Sequence, residues 1–505
     1  MRKTFFRVLC FLTLVAIVLS MVMSCADEPD DVYEPIDLGK DKGKETNKRA
    51  DTEGYITLDT TDMTLESMYK YEYEFKDYDF GGAVITILVN GKGAIDEIMP
   101  SDYSSFVGNS IYKRNAIAEE LLNIDLKTYS VNSNNGIIDS LRKDTMSGEA
   151  VYDLVADSRH NIFSAVGDGL LVNLFDVNEV DTARQYYSQS FVEAADIDGK
   201  LFAITGDAAM SYFTEAYATF VNLDIAKQKD LSELFDMVYM GRWTIEYQLG
   251  LVSELYDDND GSGTHNGLDT YGFIGNTSWC IDPYMSAFEF DITQKSGGVP
   301  KLVVDQQKGI IVTQVLNKLF HVVDGVYLQS DNTNNEEMAK IFAANTALFM
   351  TNKISMYQNE AIGEIEYSII PMPKLDGGQS EYMSYNSSNT TCLAIPSCTG
   401  DVKRSGVVLE CLSACSIHVR DAFTDEMTMK QGNEYGRSML DIIINGIYVD
   451  TLLLYTGVGS VGNSGLFMRN IIKGKSENFV SEWTAVRGQT ETAVEQIRAT
   501  FNLVK

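Results

Sequence analysis

Between residues 83 and 157 the chain alternates strand and helix patterns in an order that admits few architectures. Ala83-Val84-Ile85-Thr86-Ile87-Leu88-Val89 follows Phe80-Gly81-Gly82 and is apolar almost throughout, as a strand buried on both faces requires. A helical pattern from Asn109 to Asn123 comes next, marked by Ile117, Leu121 and Ile124. Ile124 to Tyr129 alternates as a strand does, Gly136 to Met146 reads as a second helix, and Val151 to Asp157 as a third strand. A β-α-β-α-β run of this kind predicts an α/β fold with a parallel sheet and helices on both faces.

The remaining chain continues in the same style. Strands are expected at 198–207 after a tight turn, at 219–222, 347–350, 367–370 and 391–396. Helices are expected at 223–239, from Trp243-Thr244 with Thr244 as cap, and at 308–323, 334–345, 402–420 and 481–501. With 505 residues the chain suits two or three lobes, and 45% hydrophobic residues suffice for a normal core. No internal repeat is present.

The two ends of the first 77 residues differ in kind. Arg2, Lys3 and Arg7 precede an apolar run from Val8 to Met23, the pattern of an export signal, shorter than the roughly 20 residues of a comfortable span. Val22-Met23-Ser24-Cys25 resembles a bacterial lipobox, which implies cleavage after residue 24 and a lipid on the Cys25 sulfur. The alternatives are an ordinary signal cut elsewhere and an uncleaved anchor. From Ala26 to about Gly54 the chain is polar and poor in large apolar residues, so residues 25–77 read as a lipidated cysteine and flexible stalk.

Asp and Glu number 72 against 40 Lys and Arg, a formal net charge of −32. Such a surface repels phosphate backbones and excludes nucleic acid as a partner. Of the seven cysteines, Cys10 leaves with the signal and Cys25 is the lipid site. Cys280, Cys392, Cys398, Cys411 and Cys415 remain; buried free thiols are expected, and a disulfide between two of them stays open.

Several segments, taken in order, carry a family likeness. They are Ile111-Tyr112-Lys113-Arg114-Asn115 running into Glu120-Leu121-Leu122-Asn123-Ile124, then Val151 to Val155, then Asp198-Gly199-Lys200-Leu201-Phe202-Ala203-Ile204. Ala347-Leu348-Phe349-Met350 followed by Ile370-Pro371-Met372-Pro373-Lys374 completes the set. With the lipobox, the chain resembles the extracellular solute-binding lipoproteins of bacterial ATP-driven importers, family 1, the group that includes maltose-binding protein. The resemblance spans about residues 78 to 505. It implies a two-lobed periplasmic-binding-protein-like fold with discontinuous lobes, 78–210 with 391–445 and 211–390 with 446–505, joined by a hinge. It also implies a monomer, lipid-anchored on the outer face of the cytoplasmic membrane, that passes a small solute, a carbohydrate by analogy, to a membrane permease without catalysis.

Ligand contacts are then expected from aromatics and planar polar groups near strand ends, since a sugar offers an apolar ring face and hydroxyls. Trp279, with Tyr284 nearby, is the candidate stacking platform. Asp157, Ser158 and Arg159 follow the carboxyl end of a first-lobe strand, where α/β sheets bind ligands. Asp207 and Tyr212 fall at the first crossover between lobes, Tyr385 and Asn386 at the return. For each the alternative is ordinary packing or a solvated loop.

Asp258-x-Asp260-x-Ser262-Gly263, ending at Asp269, fits the spacing of a twelve-position calcium loop. Structural Ca2+ is thus the one candidate cofactor, with Asp258, Asp260, Ser262 and Asp269 as ligands. The short Asp269 in place of Glu and the lack of flanking helices leave a plain acidic surface loop as the alternative. Gly457-Val458-Gly459-Ser460-Val461-Gly462 matches a dinucleotide fingerprint but lacks the β-α-β unit that would use it, so it reads as a glycine loop. No H-E-x-x-H, G-x-S-x-G or Walker loop occurs, and four scattered histidines offer no catalytic set. The rivals to solute binding are a glycan-acting surface enzyme, which needs two cleft carboxylates at fixed separation, and a peptide-binding or sensing lipoprotein.

Overall fold

A computed structural model describes residues 72–133, 135–330 and 335–504. The expected signal peptide, Cys25 and the stalk up to residue 71 lie outside the described residues.

The first sheet starts with β1 (Ala83–Asn90), whose Ile85, Ile87, Leu88 and Val89 are fully buried. The helix Phe106–Leu122 follows, capped by the Ser105 hydroxyl and ended by Asn123 in the left-handed conformation. It delivers β2 (Ile124–Val131); the helix Gly136–Ser147 then delivers β3 (Leu154–Ser158). β1 pairs in parallel with both β2 and β3, as the alternating pattern demands.

The second sheet is built from β4 (Tyr217–Asn222), the short β5 (Tyr256–Asp257) and β6 (Thr270–Asn276). Outside it, β7 (Thr293–Ser296) and β8 (Val299–Leu302) form an antiparallel hairpin. β9 (Val326–Gln329), β10 (Ala347–Lys353) and β11 (Tyr367–Ile370) complete the second sheet. Its order is β11-β4-β10-β6-β5, with β9 also on β6. The chain returns through β12 (Ser384–Tyr385) to β13 (Thr391–Ala394), which closes the first sheet antiparallel to β3. β14 (Ile447–Tyr448) pairs in parallel with β12.

The two sheets are therefore joined by backbone that crosses three times. Ile204 and Leu393 exchange two hydrogen bonds of 2.9 and 2.8 Å, which ties the outgoing chain to the returning one. Ser387 N–H donates to the Glu215 carbonyl at 3.1 Å, and Ser384 N–H to the Gly446 carbonyl at 2.7 Å.

Several elements differ from the sequence reading. The stretch 198–207 makes isolated pairs at Ile197–Lys200 and Ile204–Leu393 rather than a strand. The expected helix 223–239 is two, Leu223–Gln228 and Leu234–Tyr239, interrupted where Asp230 takes a positive φ of 55°. The expected helix 402–420 stops at Ala414, and a second runs from Ile417 to Lys430. At the break, the hydroxyls of Ser413 and Ser416 donate to the carbonyls of Leu409 and Leu412, the bonding that bends helices.

After residue 410 the helices pack on both lobes. The helix Ile417–Lys430 packs along Phe106–Leu122, whereas Gly436–Asn445 packs on β11 of the second sheet. The segment from 446 begins on the first: Tyr455 stacks edge-on to Phe163, and its hydroxyl donates to the Ala195 carbonyl. The last helix, Phe479–Leu503, reaches both lobes. Trp483 meets Phe467, while Phe501 meets Phe202.

Gly206 opens the first crossing. A Cβ there would collide with the Tyr186 carbonyl oxygen, part of the backbone that Asp207 N–H bonds at 2.9 Å. Gly206→Ala is expected to destabilise the protein by about 1–3 kcal/mol through overpacking. Urea unfolding of the variant beside the parent measures it.

Candidate functional site

A cleft of about 360 Å³ opens where the crossings meet the end of the second sheet. Its walls are Tyr217, Trp279, Asp282, Asn335, Lys353, Tyr385, Ser387, Ser388, Asn389, Asn463, Leu466 and Arg469. The antiparallel register of β4 and β10 sets Tyr217 opposite Lys353, so these two share one face at the strand ends. Tyr385, the last residue of β12, brings its ring to 5.7 Å from that of Tyr217. Trp279 arrives on the loop after β6, and Asp282 one turn later at the start of the helix Asp282–Ala287.

Charge in the cleft is matched. Arg469 Nε donates to Asp282 at 3.0 Å and its Nη2 donates to the second carboxylate oxygen, a two-point fork. Lys353 Nζ lies 2.6 Å from Glu215, which also accepts from the Ser387 hydroxyl. Burial pushes the Asp282 carboxyl up to about 6 against the pull of Arg469. Tyr217 is pushed well above its ordinary range, by burial first and then by the Asp282 charge, and stays a neutral hydroxyl.

Of the residues chosen from the sequence, Trp279 and Tyr385 line the cleft. The others hold its frame. Tyr284 is fully buried in the core, its hydroxyl 3.4 Å from both Gln248 and Thr351. Asp157 accepts from the amides of Asn90 (3.2 Å) and Asn161 (2.9 Å), and Ser158 caps the helix Arg159–Val166. Arg159 is fully buried behind Tyr385, with Nη2 3.3 Å from the Asn386 carbonyl, and burial lowers its pKa. Asp207 is ion-paired to Arg420 at 3.2 Å. Asn386 donates to the Tyr212 carbonyl at 2.8 Å, and the Tyr212 hydroxyl accepts from Ser188 at 2.9 Å. Of these, Arg159, Asn386 and Tyr212 bond the crossings, while Tyr284, Asp157 and Ser158 bond within one lobe.

Sequence reasoning missed Tyr217, Asp282, Lys353 and Arg469. Lys353 ends a recognisable strand, which is a usable signal; Arg469 lies in an ordinary helical pattern and carries none. The glycine loop 457–462 packs against the first lobe, where a Cβ on Gly457 would collide with the His160 carbonyl, and it leads directly into Asn463 of the cleft.

Away from the cleft, Asp258, Asp260 and Asp269 bring carboxylate oxygens within 4.8 Å of one another. Their loop joins antiparallel β5 to β6 and is not flanked by helices. Some lone pairs are already used: Asp258 accepts from Ser262 and Gly263 N–H, and Asp269 from Asn259 and Asn266 N–H. Ser262 Oγ bonds Thr264, and its side chain and N–H also bond Asp260, which holds that carboxyl below its ordinary range. Since β6 runs from Asp269 toward Trp279 at roughly 3.3 Å per residue, the loop stands on the order of 20 Å from the cleft. The cysteines Cys280, Cys392, Cys398, Cys411 and Cys415 are all free thiols. Among the described residues no helix is long and apolar enough to cross a membrane.

Neither a protein-family model nor a curated protein sequence matches the chain. Solved structures do. The galacto-N-biose/lacto-N-biose I-binding protein of a Bifidobacterium longum ABC transporter aligns over 84% of this chain and 99% of its own, with 11% identity and a TM-score of 0.55. M. tuberculosis UspC aligns over 81% and 99%, at 13% identity and TM-score 0.53. An ABC transporter solute-binding protein from Thermotoga lettingae, bound with α-D-tagatose, aligns over 82% and 100%, at 11% and 0.51. This chain has the two-lobed α/β fold of the periplasmic-binding proteins. The cleft just described lies at the crossings between the two sheets of that fold.

Glu97 accepts from Ser211 N–H (3.1 Å) and Oγ (2.9 Å) on one crossing and from Thr391 Oγ1 (3.0 Å) on the other. Burial lifts its carboxyl from an ordinary 4.5 to about 7. The folded chain thus holds this proton more tightly than the unfolded one. The stability that protonated Glu97 contributes is full below about pH 4.5 and is lost as pH rises through about 7. Glu97→Gln keeps a neutral side chain, so its unfolding free energy in urea is expected to fall less steeply between pH 4.5 and 7 than that of the parent.

Proposed function

We propose that the protein is a non-catalytic solute-binding component of an ATP-driven importer, anchored by a lipid on Cys25 at the outer face of the cytoplasmic membrane. As a monomer it captures a carbohydrate in the cleft and delivers it to a membrane permease. The observation that carries this reading is the partly buried Trp279, set beside the Asp282–Arg469 fork at the crossings between lobes. An indole face beside planar, bidentate polar groups suits a sugar ring with its hydroxyls. The fold shared with sugar-binding proteins of importers supports the same assignment. A stalk after Cys25 would hold the binding lobes clear of the membrane.

The experiment is a thermal-shift screen of the full-length chain against monosaccharides, disaccharides and peptides. A ligand that binds only the native state adds about 2.7 kcal/mol of stability at a hundredfold excess over its dissociation constant. A sugar that raises the melting point and is recovered intact supports the reading. A sugar recovered cleaved replaces it with the glycan-acting enzyme, and a shift with peptides alone replaces the carbohydrate. Trp279→Ala is expected to weaken the sugar found in this screen by tenfold or more, about 1.4 kcal/mol, in calorimetric titration.

We further propose that the Asp258–Asp269 loop takes a structural calcium ion through the carboxylates of Asp258, Asp260 and Asp269. The spacing of the loop and the convergence of its oxygens support this. Calcium is expected to raise the melting point with no ligand present, and Asp260→Asn together with Asp269→Asn to remove that rise. An equal rise in the double variant, or with magnesium, counts against the site.

A further inference from the structure

Among the described residues, the charged groups of the cleft are all paired. Asp282, Lys353 and Arg469 are the charged side chains in its wall, and each is paired: Asp282 with Arg469, and Lys353 with Glu215 just behind. Each pair is neutral as a unit, and beside the spare N–H groups of Arg469 and Lys353 the wall offers uncharged bonding capacity. Tyr217 is 3% exposed, and its hydroxyl finds no hydrogen-bond partner among the described residues. The Trp279 indole N–H and the side-chain amides of Asn389 and Asn463 likewise keep their capacity for whatever enters.

We infer that the cleft is a charge filter: it admits an uncharged saccharide and rejects acidic and amino sugars, with the Asp282–Arg469 and Glu215–Lys353 pairs as the specificity-determining residues. This rests on the carbohydrate reading above and goes beyond it. A sugar hydroxyl both donates and accepts, so it can meet the Tyr217 hydroxyl, the Trp279 N–H and the two amides without disturbing either pair. A uronate entering the same space gives up its water and meets cations already held by carboxylates. An ammonium group meets carboxylates already held by cations. Either charge is then buried without a partner, or it takes one and strands another, and both outcomes are unfavourable. An unmatched charge is a repulsive element, one of the two ways in which a site tells ligands apart. The volume narrows the class further. At about 360 Å³ the cavity lies at the low end for small-molecule sites, room for roughly one or two sugar rings and not for a long chain.

The full-length chain is titrated calorimetrically with glucose, galactose, mannose and their disaccharides, each beside its uronic acid and 2-amino counterpart. For the neutral sugar that binds, the charged counterparts are expected to bind at least tenfold more weakly. Asp282→Asn frees the Arg469 guanidinium and Glu215→Gln frees the Lys353 ammonium. Each variant is expected to shift the neutral-to-uronate ratio by tenfold or more toward the uronate, and a folding failure in one leaves the other as the test. If the parent binds a uronate or amino sugar as tightly as the neutral ring, the filter is overturned and the carbohydrate reading stands. An unchanged ratio in a folded variant overturns the assignment to the ion pairs. Binding of no saccharide at all overturns the carbohydrate reading together with the filter.

Discussion

The Glu97 carboxylate holds the place on which the two lobes depend. One oxygen accepts from Ser211 and the other from Thr391, so a single side chain from the first lobe bonds both the outgoing and the returning crossing. Ser211 Oγ in turn accepts from Thr391 N–H at 2.7 Å. Around this knot the backbone pairing of Ile204 with Leu393 and the Asn386–Tyr212 bond fix the order in which the strands cross. Arg114 closes the back of it: fully buried, it donates to the carbonyls of Glu97, Ile98 and Ala208 and has its pKa drawn down to about 10 by burial. A guanidinium spending its donors on backbone carbonyls ties its own helix to two other segments at once. The cleft exists because this region keeps the strand ends apart at a fixed spacing.

The same economy of charge shapes the cleft itself. A molecule with a net charge of −32 could present a strongly negative cavity, yet here each cleft carboxylate has a cation within bonding distance. The surface charge acts at long range and is screened by salt, whereas the buried pairs act over a few ångströms in a medium that screens poorly. Solubility and ligand choice are therefore carried by different residues. The acidic surface can vary without altering what the cleft meets.

The fold was legible because its signal is local. β1 is apolar over most of its length, Asn123 ends its helix, and the strand at 367–370 stops at a proline, each signal lying within a few residues of the element it marks. The cleft was only half legible because its signal is not local. Trp279 and Tyr385 follow strand ends and could be found from position, and Lys353 could have been on the same rule. The Asp282–Arg469 fork joins residues 187 apart, and Tyr217 meets Lys353 through a register that the pattern of either strand alone does not reveal. Tyr284 shows the converse error. It sits five residues from Trp279, but on the inner side of the helix that carries Asp282, where burial against Phe288 and Phe320 takes it out of reach of a ligand. Proximity in sequence to a good candidate does not determine which face of a helix a side chain occupies.

The helix Phe479–Leu503 changes how lobe movement has to be described. Its 25 residues span on the order of 37 Å as one rigid rod. The front half is packed against the second lobe through Trp483 and Phe467. The far end is packed against the first, where Phe501 meets Phe202 and Tyr455 and Lys200 Nζ donates to the carbonyls of Phe501 and Val504 at 2.7 and 2.6 Å. Three crossing strands alone would allow bending about any axis through them. A rod attached at both ends removes that freedom. A closing rotation either keeps the Phe202–Phe501–Tyr455 contacts, which makes this end of the helix part of the axis, or it breaks a buried aromatic cluster and two ammonium–carbonyl bonds. The first course requires no loss of packing, so these contacts favour keeping the C-terminal end of this helix with the first lobe.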